Sequence, residues 1–233
     1  MRVAILSDIH SNIEALNAAL VAMDHGGVAE ILCLGDIVGY GPFPNECIDL
    51  IRTRCQTVVK GNHDSGVLGE TPLSHFNEYG REAIEWTKKQ VTQENLRYLK
   101  SLPLLNVRGD ATLVHASPWK PEQWNYVTIW TEAKKNFKAF KTTLCLIGHT
   151  HVPMVIGEDF GINTFSKGKR FLINVGSVGQ PRDGNPQASF GLLDTEAWTF
   201  DINRVTYDIE KTARAIKDAG LPSFLADRLF IGV

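Results

Sequence analysis

The chain has 233 residues, 43% of them hydrophobic and 21% charged, an ordinary balance for a globular protein with a sizeable buried core, which argues against a disordered, collagen-like or disulfide-stapled chain. Twenty-four Lys and Arg against 26 Asp and Glu leave a formal charge of −2, so stable nucleic-acid binding by bulk electrostatics is not expected, and a small anionic substrate would need a local attractor. Met1-Arg2 runs straight into Val3-Ala4-Ile5-Leu6, too short for a signal-peptide apolar region, and no run approaches the ~18 apolar residues of a membrane span, so a cytoplasmic protein without a membrane partner is the default expectation.

In chain order, Arg2 to Leu6 is a short apolar run that reads as a buried strand, and a helix begins after Ser7-Asp8-Ile9-His10. Ser11 with Glu14 fits a capping box, and Ile13, Leu16, Leu20 and Met23 follow at helical spacing until Gly26-Gly27. A strand over residues 31–34 runs into Gly35-Asp36, a turn rich in Gly and Pro, and a helix carrying Cys47, Ile48 and Ile51. Thr57-Val58-Val59 and another glycine break come next. This alternation signals crossover units and a largely parallel sheet, hence an α/β fold.

Helical patterns cover residues 77–89 and 92–100, and residues 104–107 and 111–114 flank Arg108-Gly109-Asp110 as a hairpin. One more helix, near residues 131–140, precedes a strand over residues 144–147. From Met154 onward short strands dominate, then a helix from about residue 208 to 219. Two packed sheets with helices outside would bury both strand sets, and no linker-like tract separates two domains, so residues 1–233 read as a single domain. The four cysteines form no CxxC pair and read as reduced and structural. The last residues, 221–233, carry Phe224, Leu225, Leu229 and Phe230, a stripe that packs either on its own domain or on a second subunit; the oligomeric state is left open.

The informative residues lie just past the ends of the apolar runs. Ala4-Ile5-Leu6 leads to Asp8 and His10, Leu32-Cys33-Leu34 to Asp36, Val58-Val59-Lys60 to Gly61-Asn62-His63-Asp64, Leu113-Val114 to His115, and Leu146-Ile147 to Gly148-His149-Thr150-His151. Ligands in α/β sheets gather beyond the carboxyl ends of strands, so these groups can converge on one crevice. Oxygen and imidazole donors without thiolate suit Mn, Fe, Zn or a similar divalent ion. Asp8, His10, Asp36, Asn62, His115, His149 and His151 are too many for one ion. Two ions roughly 3.5 to 4 Å apart, sharing a bridging carboxylate, would use them all.

At these residues the sequence closely resembles the calcineurin-like metallophosphoesterases, whose pattern D-x-H, G-D, G-N-H-D/E, H, G-H-x-H is present in order from Asp8 to His151. The resemblance spans about residues 1–185. Gly35-Asp36-Ile37-Val38-Gly39-Tyr40-Gly41-Pro42 and Gly176-Ser177-Val178-Gly179-Gln180-Pro181-Arg182 look most like the short bacterial and archaeal phosphodiesterases and phosphatases related to diadenosine tetraphosphatases. One departure is His115-Ala116-Ser117, where many relatives have His-Gly. The resemblance implies a four-layer αββα sandwich of two mixed sheets with a dinuclear site at one edge. It also implies one ion held by Asp8, His10 and His151, the other by Asn62, His115 and His149, with Asp36 bridging and Mn, Fe, Zn or Ni as the metals.

The chemistry expected is hydrolysis of a phosphodiester, phosphomonoester or nucleotide by a metal-bridging hydroxide, with the ion pair as the local anion attractor. His63 is assigned as the general acid, with Asp64 orienting it, and Asn62 and His63 also face the substrate. Trp124, in a loop with Trp119, Tyr126 and Trp130, is a candidate to stack a nucleobase or aromatic leaving group; Arg182 could grip a distal phosphate, and Tyr40 is a further pocket candidate. His25 and His75 read as ordinary surface residues. The alternatives are a protein serine/threonine phosphatase, a DNA nuclease disfavoured by the near-neutral charge, and a non-enzymatic phosphoesterase-like scaffold, against which intact Asn62, His63 and His115 speak.

Overall fold

Strand β1 (Arg2–Leu6) is buried at every position after its first, and the chain builds a sheet around it. It pairs in parallel with β2 (Glu30–Cys33), which carries β3 (Thr57–Val58) on its far side, and antiparallel with β9 (Ala188–Asp194), which pairs with β10 (Thr199–Val205). The order is β10-β9-β1-β2-β3. A second five-stranded sheet has the order β4-β5-β6-β8-β7, from β4 (Leu105–Arg108), β5 (Ala111–Val114), β6 (Leu144–Ile147), β7 (Met154–Gly157) and β8 (Phe171–Asn174). The computed structural model describes residues 1–159 and 165–233, and among these no helix is long and apolar enough to cross a membrane.

The alternation of side chains along each strand sorts them into layers. Val3 and Ile5 of β1, with Leu32, Leu34 and Val59, meet Leu113, Leu144, Leu146, Phe171 and Ile173 of the second sheet in a shared core. The intervening Ala4, Leu6, Ile31 and Cys33 face outward onto α1 (Ile13–His25) and α2 (Pro44–Arg54), whose Leu16, Leu20, Met23, Ile48 and Ile51 are buried against them. On the other outer face Cys145, Ile147 and Leu172 meet Ala133 of α6 (Trp130–Asn136), with Phe137 and Phe140 beyond its end. Each large apolar side chain buried in these layers contributes about 1.5–3 kcal/mol relative to exposure. The result is a four-layer mixed α/β sandwich, as the motif resemblance implies.

Local readings hold with small shifts. Helices α4 (Glu78–Gln90), α5 (Gln93–Ser101) and α7 (Ile209–Asp218) start one residue after Asn77, Thr92 and Asp208, whose side chains accept from Gly80, Asn95 and Lys211 N–H as N-caps. The cap of α1 is Asn12, which accepts from Ala15 N–H. Ser11 is displaced from that role because its backbone is left-handed, at φ 54°. Helix α3 (Asn62–Leu68) has no apolar periodicity to announce it; its first turn carries Asn62, His63 and Asp64. The four cysteines are free thiols.

The chain's last residues pack on their own fold. Leu225 and Ala226 of α8 (Ser223–Asp227), with Leu229, are buried with Ala213 and Ile216 of α7 and with Tyr40. Gly184 N–H donates to Gly232 O at 2.9 Å. The C-terminal segment thereby backs the loop after β2.

Candidate metal centre

Strands β1, β2 and β3 are parallel, as are β5, β6 and β8, so the loops that follow them leave each sheet at one edge. Backbone bonds join the edges: Asp8 N–H to Gly35 O, His10 N–H to Asp36 O, Gly148 N–H to His115 O and Gly179 N–H to Asp8 O, all between 2.8 and 3.1 Å. Asp8, His10, Asp36, His149 and His151 all have left-handed backbones, with φ from 49° to 68°. That conformation costs roughly 1–2 kcal/mol per non-glycine residue, and it persists where the surroundings over-determine it, as functional loops do. Close approach demands glycine at two points. A Cβ on Gly61 would lie 2.1 Å from Asp36 Oδ1, and one on Gly148 1.9 Å from Ser7 Oγ and 2.5 Å from Asp8 Oδ2.

The ligand atoms converge. His151 Nε2 lies 3.2 Å from Asp8 Oδ1 and His115 Nε2 3.3 Å from Asp36 Oδ2; His10 Nε2 is 3.7 Å from Asp36 Oδ2 and His115 Nε2 is 3.0 Å from Asn62 Oδ1. Three groups gather ligand atoms within 4.8 Å of one another: Asp8, His10 and His151; His10, Asp36 and His63; Asp36, His115 and His149. Asp8, His10, Asp36, His115, His149 and His151 are all buried, and Asn62 is buried beside them.

The hydrogen bonds behind these residues show why the donor set fits cations. Nδ1 of His10, His115 and His151 faces the carbonyl oxygens of Val38, Leu34 and Gln180 at 3.1, 2.9 and 2.6 Å. A carbonyl only accepts, so each Nδ1 carries a proton, which leaves the Nε2 of neutral His10 and His151 as a lone pair facing the centre; His115 presents its own only once its second proton leaves. His10 Nε2 and His151 Nε2 then oppose each other at 3.1 Å, a repulsive contact between neutral rings that a shared cation relieves. Asp8 Oδ1 and His149 Nε2 are buried with no hydrogen-bond partner. Desolvated bare acceptors of this kind cost about 1–3 kcal/mol each unless something positive meets them.

The electrostatics agree. Burial pushes His10, His63, His149 and His151 down, His63 to about 4 and His149 to about 3, which keeps the rings neutral at physiological pH. His115 is the exception, since burial is outweighed by Asp36 and Asp8, which hold it up at about 9. Burial also opposes ionisation of Asp8 and Asp36, yet His151 and His115 respectively, with their neighbours, hold both carboxyls below the usual range.

Above the cluster opens a cavity of about 290 Å³, whose walls include Tyr40, His63, His75, Trp124, Tyr126 and Arg182. Asn62 and His149 reach it from the cluster.

A family model described as the calcineurin-like phosphoesterase superfamily domain matches residues 1–197. The chain belongs to that superfamily. The crystal structure of a metallophosphoesterase from Sphaerobacter thermophilus has 43% identity and a TM-score of 0.89, over 100% of this chain and 99% of that one. The protein MJ0912 of Methanocaldococcus jannaschii is 45% identical over 242 residues, covering 99% of this chain and 98% of its own. Phosphodiesterase YfcE of Escherichia coli is 28% identical over 207 residues, covering 84% of this chain and 89% of its own. The chain is therefore a calcineurin-like phosphoesterase of the short bacterial and archaeal kind, and a hydrolase.

The phosphoesterase motif residues all reach one site, but two sequence readings change, those of Asp64 and His75. Asp64 does not reach His63: its Oδ1 accepts from Ile37 and Val38 N–H at 3.0 and 3.2 Å and its Oδ2 from Gly61 N–H at 2.9 Å, while His63 Nδ1 has no hydrogen-bond partner. Burial and the charge of Asp36 push Asp64 up to about 7 against these donors. Trp124 is buried, its indole N–H donating to Thr71 Oγ1 at 3.0 Å, and it meets His115 edge-on with centroids 6.1 Å apart; it walls the cavity. His75 lines the cavity instead of lying on an unrelated surface, brought there by the short turn Leu73–His75 between α3 and α4. His25 ends α1, away from the cavity lining.

Proposed function

We propose that the protein hydrolyses small phosphate esters with two divalent cations, Mn, Fe, Zn or Ni, one held by Asp8, His10 and His151, the other by Asn62, His115 and His149, with Asp36 between them. The observation that carries this reading is the set of bare, inward-facing acceptors: Asp8 Oδ1, His149 Nε2 and the opposed Nε2 atoms of His10 and His151. When bound, such ions supply Lewis acidity that acidifies water and offsets phosphoryl charge.

The rest falls to the chain. Asn62 and Arg182 line the cavity and bind phosphoryl oxygens, the guanidinium lying over the Tyr40 ring at 5.6 Å and donating to Gln180 Oε1 at 2.7 Å. His63, wedged against Tyr40, His10 and Phe76 with centroids 4.5 to 5.1 Å apart, donates a proton to the leaving oxygen. Burial lowers its imidazole to about 4, and an anionic phosphoryl group beside it favours the protonated form. Asp64 acts one step back, tying the loop that carries Asp36 to the turn that carries Asn62. Ligands from both sheets meet in this site, so the two sheets act as one unit, and the near-zero net charge favours small phosphorylated substrates over nucleic acid.

The test is a metal-reconstituted panel of phosphomonoesters, phosphodiesters, dinucleoside polyphosphates and phosphopeptides, with metal content measured alongside. Two metal equivalents and chelator-sensitive turnover of small esters support the reading. Bound metal with no turnover of any substrate returns the fold to a scaffold role.

A further inference from the structure

The catalytic cavity, about 290 Å³, is at the small end of ligand pockets, which run from ~300 to 1,000 Å³. A phosphodiester carries two substituents on phosphorus, and each needs a surface to lie against. A second cavity of about 260 Å³ is lined by Tyr126, Val127, Thr128, Thr150, Val152 and Met154, and Tyr126 is the wall it shares with the first.

Tyr126 stacks on His149, with centroids 4.2 Å apart and planes 22° from parallel, yet it is 56% exposed. One face of the ring is taken and the residue remains open to solvent. Thr150 and Val152 alternate with His149 and His151, so the metal cluster and the apolar shelf are two sides of one loop. Asn174 Nδ2 stiffens that loop, donating to Gly148 O at 2.6 Å and to Thr150 Oγ1 at 2.9 Å. His63 belongs to the opposite end of the cluster, grouping with His10 and Asp36, whereas His149 groups with His115 and Asp36. An ester oxygen beside His63 is the one that leaves, so a substituent against Tyr126 is the one that stays on phosphorus.

We propose that Tyr126, Val152 and Met154 form a subsite for the retained organic group of a phosphodiester, and that this group carries a planar apolar ring. The inference rests on the phosphoesterase reading above. Hydrolysis then breaks the bond from phosphorus to the leaving oxygen, which takes the His63 proton, and forms a bond from phosphorus to water oxygen, which gives up a proton to solvent. The product is a phosphomonoester that keeps the ring.

The experiment compares phenyl 4-nitrophenyl phosphate with methyl 4-nitrophenyl phosphate, which share a leaving group, on the Mn-reconstituted full chain, each kcat/KM being divided by the uncatalysed rate. The phenyl diester is expected to be favoured about tenfold, the scale of one aromatic stacking contact, mainly through KM. Tyr126→Ala brings the ratio toward one and Tyr126→Phe keeps it. Calorimetry with phenylphosphonate and methylphosphonate, which do not turn over, shows the same preference in binding. Equal treatment of both diesters by the unaltered protein overturns the subsite, as does an Ala variant that loses both activities by one factor, which would place Tyr126 behind His149 rather than against substrate. Turnover without preference refutes only the subsite; turnover of no ester with any metal refutes the phosphoesterase reading along with it.

Discussion

Asp64→Asn separates two roles for one carboxylate. The side chain receives three backbone N–H groups, from Ile37, Val38 and Gly61, and is fully buried. An asparagine keeps one oxygen, which can still serve Ile37 and Val38, but its amide then meets Gly61 N–H donor against donor. The loss is one unsatisfied buried donor, about 1–3 kcal/mol; weaker bonds at the other two sites are offset by no longer burying a charge, which the raised value of Asp64 shows to be unfavourable. At roughly 2–4 °C per kcal/mol for a chain of this size, the melting temperature drops on the order of 5 °C. Because Ile37 follows Asp36 and Gly61 precedes Asn62, metal affinity falls as well, by about 10–100-fold, the usual cost of losing support behind a ligand. The assay is thermal unfolding at pH 8, above the raised Asp64 value of about 7, with and without chelator, together with metal titration. A melting temperature within about 2 °C of the parent, with a changed pH profile as the sole effect, refutes the structural role and returns Asp64 to orienting His63.

His63→Asn is expected to lower kcat by about 10²–10⁴ while both metal equivalents remain by elemental analysis; because His63 lies close enough to His10 and Asp36 to share an ion, loss of one equivalent would make it a ligand instead. Removing metal with a chelator lowers the melting temperature and abolishes turnover, since a ligand at 100 times its Kd stabilises by about 2.7 kcal/mol; readdition of Mn restores both, and a chelated protein that melts as before refutes the centre. The metal-free protein loses stability as pH falls below 6.5, because His63 and His149 titrate at about 4 and 3 in the fold and near 6.5 when unfolded, so the unfolded chain binds more protons through that window. His10 and His151 are lowered in the same direction; Asp64, raised to about 7, opposes them but is one group against His63 and His149, and His115, raised to about 9, opposes them only above pH 6.5; chemical denaturation at pH 6.5 and 5.0 reads the sign, and a flat or rising stability on acidification contradicts it.

Much of this site was legible in the linear sequence because its parts are local. A strand is a short apolar run, the break after it is marked by glycine, and a ligand two residues past the break needs no distant contact to be recognised. Thus Asp8 with His10, and His149 with His151, stand out as spaced pairs on loops. Helix α3 was hidden because Asn62, His63, Asp64 and Gly66 carry no apolar period, and the helix forms because Asp64 accepts Gly61 N–H at its start. Ser11 has the residue type and spacing of a cap, but the left-handed turn that aims His10 inward moves the role to Asn12.

By itself, then, the sequence determined the kind of chemistry: hard oxygen and imidazole donors without thiolates, set at strand ends in an α/β chain whose net charge is close to zero. These depend on residue type and short spacing. Only the tertiary structure decided which neighbours surround that chemistry, because the residues concerned sit far apart in the chain and their orientation follows from packing. Trp124 and Tyr126 are two positions apart, yet the first is tied into the wall through Thr71 and the second stands open over His149. His75 becomes a cavity residue and Asp64 a clamp between loops for the same reason: each position is set by contacts made across the fold, and no local pattern encodes them.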